Sequence, residues 1–166
     1  MLPFEDIRVS IVEGLEVATG GLVIEMNGGG DIPPGDFMTY SFVGGFGSAG
    51  GQPIITQQDG QQQRREAVTF TASFNCYADD SDVAMVNAMR ARDWFKATGR
   101  EVLKDTLDVI VIEIGEIQNR DINIGEEWER RQGFDVELRA TDLVISDLTG
   151  WIETATPIQR SDYVEH

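Results

Sequence analysis

The stretch AVTFTASFNCY at residues 67–77 decides the fold. Apolar and polar side chains alternate along its whole length, with Val68, Phe70, Ala72, Phe74 and Cys76 set between Thr69, Thr71, Ser73, Asn75 and Tyr77. Successive side chains of a strand point to opposite faces, so this period of two places one set on a core and the other on a polar surface. The stretch therefore predicts a long strand with one buried face.

A helix is expected directly after this strand. The residues that follow have side chains that accept hydrogen bonds from the free N–H groups of a first helical turn, namely Asp79, Asp80, Ser81 and Asp82. We predict a helix over 81–98 that ends at Gly99. Its apolar residues are Val83, Val86, Met89, Trp94 and Phe95.

The remaining elements lie on both sides of this pair. Upstream, apolar residues at helical spacing predict a helix over 4–18, and strands are expected over 22–26 and 37–43. Downstream, a β-branched run predicts a strand over 109–117, and the alternation continues at Ile122, at Ile124 and through 134–140.

This order of elements indicates a single α+β domain over residues 1–166. The order helix, strand, strand, strand, helix, strand, strand is typical of a largely antiparallel β-sheet with helices on one side. A chain of this length buries roughly 70% of the surface that its unfolded form exposes, so it has room for a core. Further apolar residues at 143–145, Trp151 and Ile152 precede a polar end at 161–166.

Residues 44–63 differ from the rest of the chain because glycine and glutamine dominate them. Such a tract cannot build a core by itself, so we expect a long flexible loop or an extended hairpin that projects from the body. In an assembly, the same segment could become ordered against a neighbouring subunit.

The charge of the chain is strongly negative. Its 29 Asp and Glu against 13 Lys and Arg give a formal charge of −16. Clamping of DNA phosphates needs clustered Lys and Arg, so the composition argues against it. Three uses of the charge stay open: solubility, docking onto a basic partner, and lining a pore through which DNA slides without sticking.

Neither secretion nor membrane insertion is expected from the sequence. Cys76 is the single cysteine, which excludes a disulfide within the chain. The first residues carry no basic stretch before an apolar run, and no apolar segment reaches the length of about 20 residues that a membrane helix needs. We expect a soluble protein made in a cytoplasm, with no membrane partner.

The residues for most enzyme chemistry are missing from the sequence. Its one histidine is His166, so a histidine-activated nucleophile and a zinc site lack their ligands. The acidic cluster at 79–82 is better explained as a helix start than as a metal site, and Glu126, Glu127 and Glu129 are typical of a solvated segment. We therefore expect no catalytic residues, no cofactor and no metal.

Several segments together resemble one protein family. The alternating strand leads through a turn at Tyr77, Asp79 and Asp80 into a helix with Arg90, Arg92, Trp94 and Phe95. An acidic stretch with Trp128 and the paired Arg130 and Arg131 then leads through Gly133 into Phe134, Asp135 and Val136. Before these two stretches, a pair of prolines leads into a strand. Its residues are Pro33, Pro34, Phe37, Thr39 and Tyr40. This pattern resembles phage neck terminator and tail terminator proteins, mainly over 70–140.

The resemblance implies a function in the virion. It implies a tail-terminator-like subunit that closes into a ring, commonly a hexamer, on the end of the tail tube. The partners would be further copies of the chain, the tail tube, the head-side connector or neck proteins and possibly the sheath. Genomic DNA would pass through the lumen without specific binding.

Six residues are candidates for the subunit or partner interface. Trp and Arg dominate interface energetics, which favours Trp128, Arg130 and Arg131. Arg90 and Arg92 could pair with acidic residues of a neighbour, and Tyr40 completes the set. The alternative is that Trp128 packs in the core and that the arginines are solvated.

Two other functions stay open at this point. One is a different ring-forming virion component, such as a tail tube or head completion subunit. The other is an acidic protein-binding module that occupies a basic nucleic-acid site, although the acidic residues are spread along the whole chain.

Overall fold

A computed structural model describes residues 1–147 of the chain. Trp151, Ile152 and the polar end at 161–166 lie outside the described residues. Within this range the helices are α1 (Phe4–Thr19), α2 (Ser81–Lys96) and α3 (Thr98–Leu107). The strands are β1 (Leu22–Glu25), β2 (Phe37–Ser48), β3 (Ile54–Gln58), β4 (Gln61–Tyr77), β5 (Ile110–Ile114), β6 (Gln118–Asn119), β7 (Ile122–Ile124), β8 (Glu127–Glu129) and β9 (Arg131–Asp147).

The strands form the largely antiparallel sheet that the sequence predicts. The main path runs β1-β2-β4-β9-β5, with β3 beside β4 and β6 beside β9, while β7 and β8 form a separate hairpin. Among the described strands, β1 and β2 are the one parallel pair. The two longest strands pair along their full length, from Gln61 opposite Asp147 to Tyr77 opposite Arg131. The α+β fold class is confirmed.

The alternating stretch at residues 67–77, which lies in β4, has its apolar face on the core. Phe70, Ala72, Phe74 and Cys76 are all buried. The ring of Phe74 lies 5.1 Å from that of Phe95 on α2, and 5.5 Å from that of Phe134 on β9. Burial of such rings is the main stabilising contribution, at about 1.5–3 kcal/mol for each side chain. The three helices therefore cover this face of the sheet.

The helical region after β4 differs from the prediction in one respect. Asp80 caps α2 as expected, because its side chain accepts a hydrogen bond from the backbone N–H of Asp82 at 2.8 Å. The prediction that Gly99 ends this helix is wrong, since α2 ends at Lys96 and Gly99 lies inside α3. A side chain at Gly99 would overlap the indole of Trp94, so the glycine is required for close packing of α2 and α3.

Most of the Gly- and Gln-rich tract lies in strands. β2 continues through Gly44 and Gly47 to Ser48, and β3 joins β4 at a tight turn that contains Asp59 and Gly60. The hairpin of β3 and the first part of β4 pairs with the end of β9. Together they form a three-stranded ribbon made of residues 54–66 and 142–147. This ribbon extends the sheet beyond the part that the described helices cover.

Candidate assembly surfaces

The β7–β8 hairpin carries the most prominent of the predicted interface residues. Trp128 lies opposite Asn123 and is 60% exposed. Ile124 is also 60% exposed and lies opposite Glu127, which places it on the other face of the hairpin. This two-stranded hairpin therefore exposes a large apolar side chain on each of its faces. The alternative that Trp128 packs in the core is wrong.

Arg131 fixes the base of this hairpin through contacts within the chain. Its guanidinium donates hydrogen bonds to the backbone carbonyl of Arg120 and, at 3.4 Å, to the hydroxyl of Tyr77. A carboxylate oxygen of Glu129 lies 3.8 Å away, and the side chain of Arg131 is only 18% exposed. The backbone N–H of Arg131 donates to Asp121 at 2.7 Å. In this structure Arg131 therefore orients the hairpin.

A second arginine that the sequence argument did not single out lies across the polar face of the sheet. Arg120 donates hydrogen bonds to Ser73 at 2.9 Å and Asn75 at 3.1 Å on β4, and to Asp135 at 3.0 Å on β9. Any side chain at Gly133 would collide with Asn75 and Arg120. Arg120 thus links the segment before β7 to the two central strands.

The environment of Asp135 favours its charged form. Partial burial alone would raise the pKa of this carboxyl, but hydrogen bonds from Ser73 and Arg120 outweigh it and lower the pKa below its ordinary value. The charged pair of Arg120 and Asp135 is therefore present at neutral pH. It holds the segment that carries the β7–β8 hairpin against the sheet.

The other predicted interface residues are placed differently from one another. Arg130 and Arg90 are exposed. Arg92 is partly buried, and its Nε donates to the carbonyl of Gly115 at 3.0 Å. Tyr40 is a core residue with 3% exposure whose hydroxyl accepts a hydrogen bond from Arg8 at 3.2 Å. A ring buried under α1 has no surface to offer a partner, so the interface prediction for Tyr40 has to be corrected.

An apolar groove on the helical layer was not apparent in the sequence. It has a volume of about 790 Å³ and lies among α1, α2 and α3, with Trp94 among its lining residues. Val17, at 86% exposure, and Val9 and Val102, at 39% and 38%, contribute apolar side chains to it. The sequence pattern does not predict α3 as a separate helix, so it cannot reveal a groove that α3 helps to form.

The described residues offer little for catalysis or metal binding. Within residues 1–147 there is no group of three or more His, Cys, Asp or Glu side chains that could hold a metal ion. Cys76 is buried, and burial raises the pKa of its thiol to about 12, so the thiolate nucleophile is not populated at neutral pH. None of the described helices is long and apolar enough to span a membrane.

Comparison with known proteins assigns the chain to a family. No curated protein matches it significantly. The model of a family described as phage neck terminator protein matches residues 9–163, which includes nearly all the elements described above. Such proteins are structural components of the virion neck. The chain belongs to the phage neck terminator family.

Proposed function

We propose that this protein forms a closed homo-oligomeric ring, a hexamer, in the neck of a tailed phage. The ring ends the tail tube, joins the tail to the head and leaves a channel through which the genomic DNA passes. Its neighbours are the tail tube on one side and the head-side connector or neck proteins on the other, with the sheath as a further contact in contractile tails. Assembly takes place in the host cytoplasm.

The family match over residues 9–163 carries this proposal, because it spans the sheet, the helices and the projecting hairpin together. The distribution of apolar surface supports the ring. Exposed apolar side chains lie on the ribbon, on the β7–β8 hairpin and in the helical groove, which are three separate parts of the molecule. Different surfaces on one subunit permit head-to-tail contacts, which close into a ring when the rotation per subunit allows it.

The acidic surface supports the channel and the choice of neighbours. With a formal charge of −16, the subunit repels the phosphate backbone, so DNA would slide past it without being held. The β7–β8 hairpin combines Trp128 with Glu126, Glu127 and Glu129. An aromatic side chain among carboxylates suits a neighbour whose docking surface is basic and apolar.

The test is to purify the protein, measure its mass by light scattering at several concentrations and add it to tail tubes that lack a terminator. We expect closed rings with a central hole in negative stain, and tubes that carry one ring at one end and accept filled heads. Rings that stack into long tubes by themselves would identify a tail tube subunit instead. A protein that stays monomeric and binds a basic protein, without capping tubes, would identify an acidic binding module.

A further inference from the structure

The ribbon displays a different set of side chains on each face. Paired residues of neighbouring antiparallel strands lie on the same face, so Ile54, Arg65 and Leu143 form one cross-strand row. Ile145, two residues beyond Leu143 on β9, extends this row along the same face. We call this surface the Arg65 face.

The opposite face has a similar row with a different charge environment. It holds Ile55, Arg64 and Val144, but Arg64 already pairs with Glu66 on the same face at 3.2 Å. Arg65 is exposed and has no ion-pair partner among residues 1–147. Ile54 and Ile145 beside it are 65% and 51% exposed. The Arg65 face thus combines exposed apolar side chains with an available positive charge. Among the described residues, its one carboxylate is Asp147, which lies at the far end, where it accepts a hydrogen bond from Gln61 at 3.2 Å.

The helical groove has the complementary character. Its apolar lining is bordered by three carboxylates, Asp6, Glu13 and Asp93, against the single guanidinium of Arg90. Asp93 pairs with Lys96 at 2.8 Å, which leaves Asp6 and Glu13 on α1 as the carboxylates available to a positive charge. The part of the Arg65 face around Arg65, Ile54 and Leu143 therefore matches this groove in both polarity and charge.

The other projecting element of the subunit does not match the groove. The β7–β8 hairpin presents Trp128 and Ile124, but Glu126, Glu127 and Glu129 lie beside them. Bringing these carboxylates next to Asp6 and Glu13 would place like charges together at an interface, which costs several kcal/mol. Charge therefore selects the ribbon over the hairpin as the occupant of the groove.

We propose that the Arg65 face of one subunit's ribbon docks into the helical groove of the next subunit, with Arg65 against Asp6 and Glu13. This proposal rests on the proposed ring and names its contact. The Arg65 face continues the sheet face that the helices leave open, whereas the groove lies on the helical layer. The two surfaces are different parts of one subunit, so the contact is head-to-tail, as a ring requires.

Charge reversal tests the contact, with a matched control on the opposite face of the ribbon. We expect R65E and E13R each to raise the concentration for half-maximal ring formation at least about tenfold, whereas R64E should leave it within about twofold. The double variant R65E/E13R should recover rings in part, because the pair between positions 65 and 13 is restored with its signs exchanged while Asp6 still repels the new carboxylate. Circular dichroism and thermal melting of each variant establish that it is folded.

Mixing the single variants gives a second readout. In an equimolar mixture, two kinds of contact between unlike subunits have opposite charges. In one, the carboxylate introduced by R65E faces the guanidinium introduced by E13R. In the other, the native Arg65 of the E13R subunit faces the native Glu13 of the R65E subunit. Subunits of the two kinds should therefore alternate and close into rings with an even number of members, as a hexamer allows. Recovery of rings in the mixture supports both the contact and the even number.

Three outcomes would overturn the contact. R65E rings as abundant as those of the wild type would exclude the ribbon. Loss of rings in R65E with no effect of E13R would show that the groove is not the receiving surface. If R64E and R65E reduce ring formation equally, the Arg65 face is not the face of the ribbon that docks. Wild-type protein that stays monomeric with and without tail tubes would instead refute the proposed ring function itself.

Discussion

The indole of Trp94 on α2 lies so close to Gly14 on α1 that a Cβ atom at position 14 would overlap the ring. The same indole packs against Gly99 on α3, where a Cβ would come within 2.5 Å. Trp94 therefore fills the space between three helices, and the two glycines let the helices approach it. Since Trp94 also lines the helical groove, this packing fixes the shape of the surface proposed to receive the ribbon.

G14A should destabilise the protein although alanine is the better helix former. The helix preference favours alanine by about 1 kcal/mol, but forcing a methyl group against a rigid ring costs about 1–3 kcal/mol. We expect a net loss of up to about 2 kcal/mol in the free energy of unfolding, measured by urea denaturation. G30A is the control, because Gly30 has open space around its Cβ position. Equal stability of the two variants would contradict the packing described here.

Arg120 should contribute to stability through its hydrogen bonds to Ser73, Asn75 and Asp135. Because hydrogen bonds to charged groups are worth more than neutral ones, R120A should lower the free energy of unfolding by about 1–3 kcal/mol. R130A replaces an exposed arginine of the same region and should stay within about 0.5 kcal/mol of the wild type. If both variants lose the same amount, the Arg120 contacts do not hold this segment.

Asp135 should make stability depend on acid pH. Its pKa is lower in the folded protein than its ordinary value, so the stability it adds is present above the pKa of the unfolded chain. That contribution is lost as the pH falls through the folded pKa. The stability difference between wild type and D135N should therefore be largest near neutral pH and shrink on acidification, as measured by denaturation at pH 7, 5 and 3. A difference that is constant with pH would argue against the charged pair.

The sequence predicted those parts of the structure that depend on local periodicity. The alternation around Phe74 and the cap at Asp80 are both confirmed. Gly99 was misassigned because a glycine near a helix end is usually a terminator, and its packing against Trp94 is a contact between elements. Arg120 was missed for the same reason, since its partners lie 15 to 47 residues away along the chain.

The candidate interface residues differ in exposure, because residue type says nothing about the direction of a side chain. Trp128 is exposed on the β7–β8 hairpin, whereas Tyr40, also an aromatic residue, is buried under α1. Arg131 and Arg92 donate hydrogen bonds to backbone carbonyls within the same chain. The ribbon became visible as a two-faced surface only when the register of β3, β4 and β9 was known.

W128A should separate folding from attachment to the neck. The side chain is 60% exposed, so its loss should change the free energy of unfolding by no more than about 0.5 kcal/mol. As the aromatic anchor of the β7–β8 hairpin, however, it should contribute about 2 kcal/mol to docking, which is about 30-fold in affinity. The measurement is the concentration of ring needed to cap half of the tail tubes, and separately to bind the head-side neighbour.

The two measurements also assign the hairpin to one side of the ring. Because the groove and the ribbon are separate from Trp128, W128A should form rings as the wild type does, and only one of the two docking reactions should weaken. V86A removes a side chain of 45% exposure from α2 and serves as the control for loss of exposed apolar surface. Unchanged binding on both sides would show that the hairpin does not contact either neighbour, whereas failure of W128A to form rings would place Trp128 in the contact between subunits.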